Sequence, residues 1–503
     1  MKRIFKTTVI LISLIIAGQS CSESFLDQEY VNGLVDANFF TDPSHAERGL
    51  TAVYDVLGHE GQFILTRLIL GSSAADDIVE DHGDYSRVGT GMIEVDKYNW
   101  HASSRYIMDH WYSCYKGIGR ANYVITKVGD IEGLDTGLAN RYIAEAKALR
   151  ATFYYNLVTA YGDVPLLTEP ITLEETKTLT RTPQSDVWNQ IVLDLTEARD
   201  ILPDIYEFSS DLGRVTKGYA NAMLSSIYLW TGDYDKTITA AEAVINSPAG
   251  YKLEKNYSDI FDGTVENGKE SILDVMNVKN SPVEAIFRTE QSEVNRSIYW
   301  GPVVSWSHFY TPATDFVDNE FDPFDLRKDF SVLDMGAGET YDINGDGKID
   351  TKDKIPPNPP HDMHMMKYVP RGEDLSNGTW NNGLLQYVNV HIMRFAEVLL
   401  NYAEALNNSG RTNDALNQVN TLRSRAGLLP LVPTSKSEMD DIILHERAVE
   451  FCFEGHRFFD LKRAGKLDEV LSPLGFISGK HEVFPIPQTE LDLTSMVQNP
   501  NYN

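Results

Sequence analysis

Residues 394–428 read RFAEVLLNYAEALNNSGRTNDALNQVNTLRSRAGL and carry two apolar patterns separated by a short polar break. The first pattern has the i, i+4, i+7, i+8, i+11 spacing of an amphipathic helix and consists of Phe395, Leu399, Tyr402, Ala403 and Leu406. The pattern stops over 408–410 and restarts over 415–426, and Gly427 then stands where a helix takes a left-handed C-terminal cap. The stretch therefore predicts two antiparallel helices whose small Ala residues let the backbones approach.

A single helix pair of this tetratricopeptide-like kind cannot bury its apolar face alone, so further pairs must stack on it. Helical patterns recur at 111–128, 141–161, 185–202, 218–245 and 438–453. Between about 251 and 390 the periodicity fails, and Gly, Pro, Asn, Asp and aromatic residues dominate. A loop region this long is usually functional or disordered, and its aromatic content argues against disorder. We therefore expect a mostly α, helix-pair scaffold that carries an irregular, loop-rich ligand-binding subdomain with short strands.

The overall composition fits a large globular protein that does not bind nucleic acid. The 503 residues are 42% hydrophobic, which is ample for a sizeable core, and the net charge is −29. Such an acidic chain does not fit nucleic-acid binding, because neutralising phosphates requires clustered Lys and Arg. Apart from Cys21, the only cysteines are Cys114 and Cys452, which lie in apolar helical segments and are expected to be buried free thiols.

The N-terminus has the features of a secretory signal. Lys2 and Arg3 precede an apolar run over 7–18, which is too short to span a bilayer, and small residues precede Cys21. This arrangement resembles the lipobox of bacterial lipoproteins, although Gly18 stands where those signals usually carry Leu. We expect residues 1–20 to be a signal peptide and Cys21 to be lipidated; the alternative is ordinary secretion with a leftover cysteine.

One acidic stretch has the spacing of a calcium-binding loop. From residue 342 the chain reads DINGDGKIDTKD, with Gly347 at the sharp turn. The twelve-residue EF-hand spacing makes the expected Ca²⁺ ligands Asp342, Asn344, Asp346, Lys348 through its backbone carbonyl, Asp350 and Asp353. Neither flank is helical, so a structural role is more consistent than a sensor role. The alternative is a surface turn rich in Asp and Gly.

Several segments together resemble one protein family. They are AEAKALRATFYYNLVTAYGDVPLLTEP (144–170), RFAEVLLNYAEALN, NTLRSRAGL, HERAVEFCFEGHRFFDLKRAG and FPIPQTELDL (484–493). In this combination and order they are similar to the SusD/RagB family of nutrient-uptake lipoproteins of Bacteroidetes, and the resemblance covers nearly the whole chain after the signal.

The resemblance implies a SusD-like N-terminal domain over 21–250 and a RagB/SusD C-terminal domain over 251–503, with the loop-rich insertion at about 251–390. It implies an outer-membrane, cell-surface lipoprotein that captures an oligosaccharide or polysaccharide for a SusC-like TonB-dependent transporter and catalyses nothing. Part of the family binds peptides instead, so a peptide ligand stays open. The charged residues of the motifs are expected to form partly buried ion pairs between helices: Arg394, Glu397, Glu404, Glu446, Arg447 and Arg457.

A sugar site needs flat aromatic platforms beside planar hydrogen-bonding side chains, and two aperiodic stretches have that mixture. The stretch at 72–104 supplies Asp76, Asp77, Asp81, Tyr85, Arg87, Tyr98 and Trp100. The stretch at 295–316 supplies Asn295, Arg296, Tyr299, Trp300, Trp306 and Tyr310, and Trp380 lies in a separate polar loop. For each aromatic residue the alternative is core packing or contact with the transporter.

A glycan-active enzyme is the remaining class to weigh. A glycoside hydrolase would need two carboxylates placed across a cleft. Asp76, Asp77 and Asp81 are too many and too close in sequence to assign as such a pair, and the chain has no nucleophile motif. We therefore expect a binding protein.

Overall fold

The structure is a computed structural model, and it describes residues 39–79, 91–265, 267–276, 311–334, 363–368, 388–433 and 435–502. Helices dominate these residues, as the sequence predicts. Their bounds are α1 (Pro43–Asp55), α2 (Thr66–Leu68), α3 (Gly91–Asp96), α4 (Arg105–Lys127), α5 (Thr136–Tyr161), α6 (Leu173–Thr176), α7 (Gln184–Ile201), α8 (Lys217–Trp230), α9 (Tyr234–Ile245), α10 (Thr314–Glu320), α11 (Leu326–Ser331), α12 (Phe395–Asn408), α13 (Thr412–Arg425), α14 (Lys436–Glu450), α15 (Arg457–Ala464), α16 (Leu467–Leu471) and α17 (Gln488–Leu493).

The long helices pack as a continuous series of neighbours. Helix α1 contacts α4, α4 contacts α5, α5 contacts α7, α7 contacts α8, and α8 contacts α9. Helix α9 then contacts α12, which packs against both α13 and α14. The helices on the two sides of residues 251–390 therefore form one scaffold, because α9 and α12 meet directly. This packing agrees with the expected mostly α fold.

The ends of the helices follow from local chemistry. Gly427 adopts a φ of +77° directly after α13, as the sequence predicts for a C-terminal cap. The side chain of Asp233 caps α9, and that of Ser435 caps α14, each accepting a hydrogen bond from a backbone N–H of the first turn. Helix α14 ends at Glu450, three residues earlier than the pattern predicts, because the chain turns there with Phe453 at a φ of +61° and Gly455 at +83°.

The described strands form three short antiparallel ladders. In the first, β1 (Ile78–Val79) pairs with β3 (Thr311–Pro312). The second joins β2 (Ser271–Val275) to β6 (Val390–Arg394), and the third joins β4 (Val332–Asp334) to β5 (Met363–Met365). These ladders agree with the short strands expected in the irregular region.

Apolar side chains form one large core through the helical scaffold and one small cluster beside it. The small cluster lies within the irregular region and consists of Tyr257, Ile260, Phe261, Phe330, Tyr368 and Val388. Both Cys114 and Cys452 are buried free thiols, as predicted. The division into two domains at residue 250 stays a prediction, since the scaffold continues across it.

Candidate ligand-binding site

The β1–β3 ladder is the feature that relates the two stretches singled out as ligand-binding. Ile78 lies opposite Pro312 and Val79 opposite Thr311. The hydroxyl of Thr311 donates a hydrogen bond of 3.1 Å to the carbonyl oxygen of Val79, which is 232 positions away in the chain. The first stretch continues from residue 79, and the second arrives at residue 311. The two stretches are therefore anchored side by side at the same end of one ladder.

The other two ladders anchor the remaining irregular segments in the same way. Asp334 lies opposite Met363, so the segment that holds the predicted calcium loop starts and finishes at paired residues. Val275 lies opposite Val390, at the other ladder. Strand β3 also contacts β5. The three ladders thus pair residues that border the irregular segments and that are far apart in sequence.

Asp76 has a charged partner within the protein. Its Oδ1 and Oδ2 accept hydrogen bonds from Nε and Nη2 of Arg457 at 2.7 and 2.8 Å. This two-point geometry is the strongest form of an Arg–carboxylate pair, and it engages both oxygen atoms. Asp76 therefore joins the approach to β1 to the start of α15; its side chain is 20% exposed, and its predicted contact with a ligand stays a prediction.

Asp77 is fully buried, which contradicts its predicted contact with a ligand. Its Oδ2 accepts hydrogen bonds from the backbone N–H of Phe453 and from the hydroxyl of Ser72, both at 3.0 Å. Burial raises the pKa of Asp77 to about 7, although both hydrogen bonds act in the opposite direction. Asp77 thus holds the approach to β1 against the turn that follows α14.

Trp100 and Tyr98 are core residues and not sugar platforms. Trp100 is 2% exposed, and its ring lies about 5 Å from the rings of Tyr98, His481 and Phe484. Its Nε1–H donates to the hydroxyl of Tyr502 at 2.6 Å. Since neighbouring rings cover it, Trp100 cannot stack on a sugar here. The core-packing alternative is correct for both residues.

The other residues predicted to act at a site lie outside the described residues and stay predictions. For ligand binding they are Asp81, Tyr85, Arg87, Asn295, Arg296, Tyr299, Trp300, Trp306, Tyr310 and Trp380. The same is true of the predicted lipidation residue Cys21. It is also true of the predicted calcium ligands, which are Asp342, Asn344, Asp346, Lys348, Asp350 and Asp353. Within the described ranges, no group of three potential ligands is arranged to hold a metal ion.

The motif charges form the predicted ion pairs, within a network larger than the sequence indicates. Arg394 pairs with Glu270, Glu450 and Glu454, and its side chain is 2% exposed. Other ion pairs in which motif residues take part are Arg327–Glu446, Arg447–Asp460, Arg457–Asp76 and Arg463–Glu404. Glu397 differs, because it accepts a hydrogen bond from Ser226 and forms no ion pair among the described residues.

The network joins the irregular region to the helical scaffold. The Glu450 carboxylate, at the end of α14, accepts hydrogen bonds from Arg327, Arg394 and Arg425. Glu450 lies four residues after Glu446, a spacing that puts both carboxylates on one face of α14 and could have identified it. Arg327 and Glu270 stand in aperiodic sequence, where no pattern marks them. Sequence reasoning therefore misses Glu450, Arg327 and Glu270.

Motif residues also line a small polar cavity in the scaffold. Its volume is about 50 Å³, and Arg67, Asn156, Glu397, Asp460 and Arg463 are among its lining residues. Ligand pockets typically measure about 300–1,000 Å³, so this cavity suits water and not a sugar ring.

In the part of the chain that the structure describes, no helix is long and apolar enough to cross a membrane.

Comparison with known proteins identifies the class of protein to which this chain belongs. A family profile described as "SusD family" matches residues 305–502, and one described as "Starch-binding associating with outer membrane" matches residues 44–229. The fold and the gathered irregular segments thus define a helical scaffold protein of the SusD type. Over 92% of this chain, and all of the other, the sequence is 31% identical to a solved "Laminarin binding SusD-like protein", with a TM-score of 0.77. The chain belongs to the SusD/RagB family.

Other relatives of the same type are similar to this chain over most of its length. "SusD-like protein P2" of Formosa agariphila is 28% identical over 99% of both chains. A "SusD-like protein" of Bacteroides ovatus is 27% identical over 88% of this chain and 79% of its own. The solved "Surface glycan-binding protein A from Bacteroides thetaiotaomicron" shares the fold, with a TM-score of 0.74 and 23% identity.

Proposed function

We propose that this protein is a cell-surface glycan-binding lipoprotein that captures an oligosaccharide or polysaccharide and delivers it to a SusC-like TonB-dependent transporter, without catalysis. The observation that carries the proposal is the solved "Laminarin binding SusD-like protein", which is 31% identical over 92% of this chain. The β1–β3 ladder supports it, because it pairs Val79 with Thr311, and these two residues belong to the two stretches that also contain Tyr85, Trp300 and Trp306.

The proposed binding mode uses aromatic rings as platforms for the apolar faces of sugars. Tyr85, Tyr299, Trp300 and Trp306 supply the rings, and Arg296 supplies a planar donor for hydroxyl groups. Laminarin is the first glycan to test, given the relative that binds it. Asp77 takes no part in contact with the sugar, since it is fully buried.

The location belongs to the same proposal. Removal of residues 1–20 would leave Cys21 as the lipidated first residue, and several acyl chains would anchor it firmly in the outer membrane. Metabolic labelling with an alkyne fatty acid should mark the wild-type protein and leave the Cys21→Ala variant unmarked. Labelling of both proteins, or of neither, would contradict this anchor. Copurification from solubilised outer membranes should recover a TonB-dependent transporter.

Calorimetry with laminarin oligosaccharides tests the binding function directly. Trp300→Ala should weaken binding by roughly tenfold or more, the scale expected when an aromatic anchor is truncated, and should leave the melting temperature unchanged. Trp100→Ala is the matched control: it should lower stability by about 3–5 kcal/mol, because Trp100 fills the core.

Two results would contradict the proposal. The first is binding of peptides in place of any glycan, measured in the same calorimeter. The second is release of reducing ends from polysaccharides by the purified protein, which would indicate an enzyme. Unchanged affinity of Trp300→Ala would remove only that residue from the site.

A further inference from the structure

The imidazole ring of His391 lies between two hydrogen-bond acceptors. Its Nδ1 is 2.7 Å from Oδ1 of Asp274, and its Nε2 is 2.9 Å from the carbonyl oxygen of Ile260. An ionised carboxylate and a carbonyl only accept hydrogen bonds, so both ring nitrogens must donate for both contacts to form. A neutral imidazole carries one N–H, and an imidazolium carries two. The geometry therefore fits the protonated ring.

Asp274 depends on this ring for its hydrogen bonding. The two residues lie opposite each other in the β2–β6 ladder, and their side chains are only 7% exposed for His391 and 2% for Asp274. Oδ2 of Asp274 is buried and has no hydrogen-bond partner in the part of the chain that the structure describes. A buried carboxylate without a partner is costly, so the carboxylate favours the charged ring beside it.

Other charged and titratable groups also surround His391. Arg394, on the same strand, opposes a positive charge on the ring, and the ring of Tyr368 is centred 6.0 Å away. The small polar cavity that His391 borders has three carboxylates, three guanidinium groups and one further histidine: Glu397, Glu454, Asp460, Arg67, Arg447, Arg463 and His456. Burial lowers the pKa of His391, but the Asp274 carboxylate outweighs burial, and the pKa is raised above 6.5.

Loss of one proton would force a choice between the two contacts. If the remaining proton is on Nε2, the buried carboxylate of Asp274 faces a lone pair. If it is on Nδ1, the carbonyl oxygen of Ile260 faces a lone pair at 2.9 Å. A charged group costs more to leave without a donor than a neutral carbonyl does. The neutral ring therefore keeps its bond to Asp274 and repels Ile260.

The carbonyl of Ile260 ends a short 3₁₀ turn, Ser258–Ile260, which is called the 258–260 turn below. Tyr257, Ile260 and Phe261, in and beside this turn, belong to the small apolar cluster. The hydroxyl of Tyr257 donates to the carbonyl oxygen of Glu450 at 2.8 Å, which fastens the start of the turn to the scaffold. His391 fastens its end to β6. Loss of the bond to His391 should therefore free Ile260 and Phe261 first.

We propose that His391 is a pH-sensitive latch of the irregular region: its imidazolium joins β2, β6 and the 258–260 turn, and loss of one proton releases the turn while the β2–β6 ladder stays paired. Because the pKa is raised in the folded protein, the latch is complete below about pH 6.5 and opens as the pH rises through the folded pKa. This inference does not depend on the proposed function, since no ligand takes part in it.

Nuclear magnetic resonance of protein labelled with ¹⁵N-histidine tests the charge of the ring. At pH 7.5, about one unit above the ordinary histidine pKa, both nitrogens of His391 should carry a proton. The signal is assigned by its loss in His391→Gln. A His391 ring that is neutral at pH 7.5 would overturn the proposal.

Hydrogen exchange read by mass spectrometry, corrected for the intrinsic effect of pH, tests the release. Between pH 6 and pH 10, peptides covering 257–262 should exchange about tenfold faster or more, the change expected when one hydrogen bond to a charged donor is lost. Peptides covering 271–275 and 390–394 should not change. His391→Gln should remove the pH dependence. A wild-type profile that is flat, or that rises equally in α8 and α9, would overturn the latch.

Asp274→Asn gives a reading that a purely structural role would not produce. Without the carboxylate that favours the charged ring, the increase in exchange at 257–262 should occur at a pH lower by about one unit or more. This variant also decides the question if His391→Gln fails to fold. His59→Gln is the matched control, because His59 pairs with Asp55 at 3.1 Å on the scaffold, and it should leave the profile at 257–262 unchanged. An unshifted profile in Asp274→Asn would contradict the proposal.

Discussion

Replacement of Glu450 by glutamine should lower the free energy of unfolding by about 3 kcal/mol, the lower end of the range for breaking a buried ion pair. The Glu450 side chain is fully buried, and its Oε1 accepts from Arg425 at 2.5 Å and from Arg394 at 3.0 Å. Its Oε2 accepts from Arg327 at 3.1 Å. The glutamine keeps the volume but turns an amide N–H₂ toward guanidinium donors.

The lower end of that range follows from the second partners of the three arginines. Arg394 and Arg425 both bind Glu270, and Arg327 binds Glu446. No guanidinium is thus left without a carboxylate when Glu450 is replaced. The loss is one charge-assisted contact for each arginine and a mismatch at the amide.

Urea denaturation followed by circular dichroism measures the effect. The midpoint should fall while the slope stays unchanged, since the surface exposed on unfolding is the same. Glu197→Gln is the matched control: Glu197 binds Lys147 in a pair that is 47% exposed on the glutamate side, and its loss should not move the midpoint. A Glu450→Gln midpoint equal to that of the wild type would refute the claim that this carboxylate holds the two regions together.

The pH dependence of the same variant gives an independent check. Burial opposes ionisation of Glu450, but Arg425, Arg394 and Arg327 outweigh it and hold its pKa well below the ordinary value. The folded protein therefore binds fewer protons than the unfolded chain, and this stability is present above pH 4.5 and is lost as the pH falls. Glu450→Gln should lose less stability than the wild type between pH 5 and pH 3.

Two further predictions concern a metal and a buried acid. Chelation should lower the melting temperature of the wild-type protein, because a bound Ca²⁺ stabilises only the folded form, and Asp342→Ala should remove that response; equal melts with and without chelator would discard the calcium proposal. Because burial raises the pKa of Asp77 to about 7, the folded protein binds more protons than the unfolded chain, so stability should fall by a few kcal/mol between about pH 4 and pH 7. Asp77→Asn should abolish that part of the slope, and a variant with the wild-type slope would contradict the assignment.

Sequence reasoning succeeds for the scaffold because helical periodicity is a local signal. The pattern over 394–428 predicts the pair that the structure shows as α12 and α13, including the cap at Gly427. It also predicts the pair over 218–245, which appears as α8 and α9. Apolar residues three and four positions apart must share a face, so no tertiary information is needed.

The same reasoning misplaces Asp77 and Trp100 and does not find the partner of Asp76, and the cause is equally physical. Acidic and aromatic residues in an aperiodic stretch look alike whether they face a ligand or a neighbouring segment. Asp76 meets Arg457 and Trp100 meets Tyr502, and each pair is separated by some 400 residues of chain. Composition cannot distinguish a carboxylate that binds a ligand from one that is paired with an arginine within the protein.

The sequence by itself determined the helix pairs, the aperiodic region between them and, through its motifs, the family. Only the tertiary structure decided that α9 meets α12 and that β1 pairs with β3. The physical reason is the separation of the interacting residues along the sequence. Helix formation depends on residues within two turns, whereas a ladder and a buried ion pair join residues that are far apart in the chain.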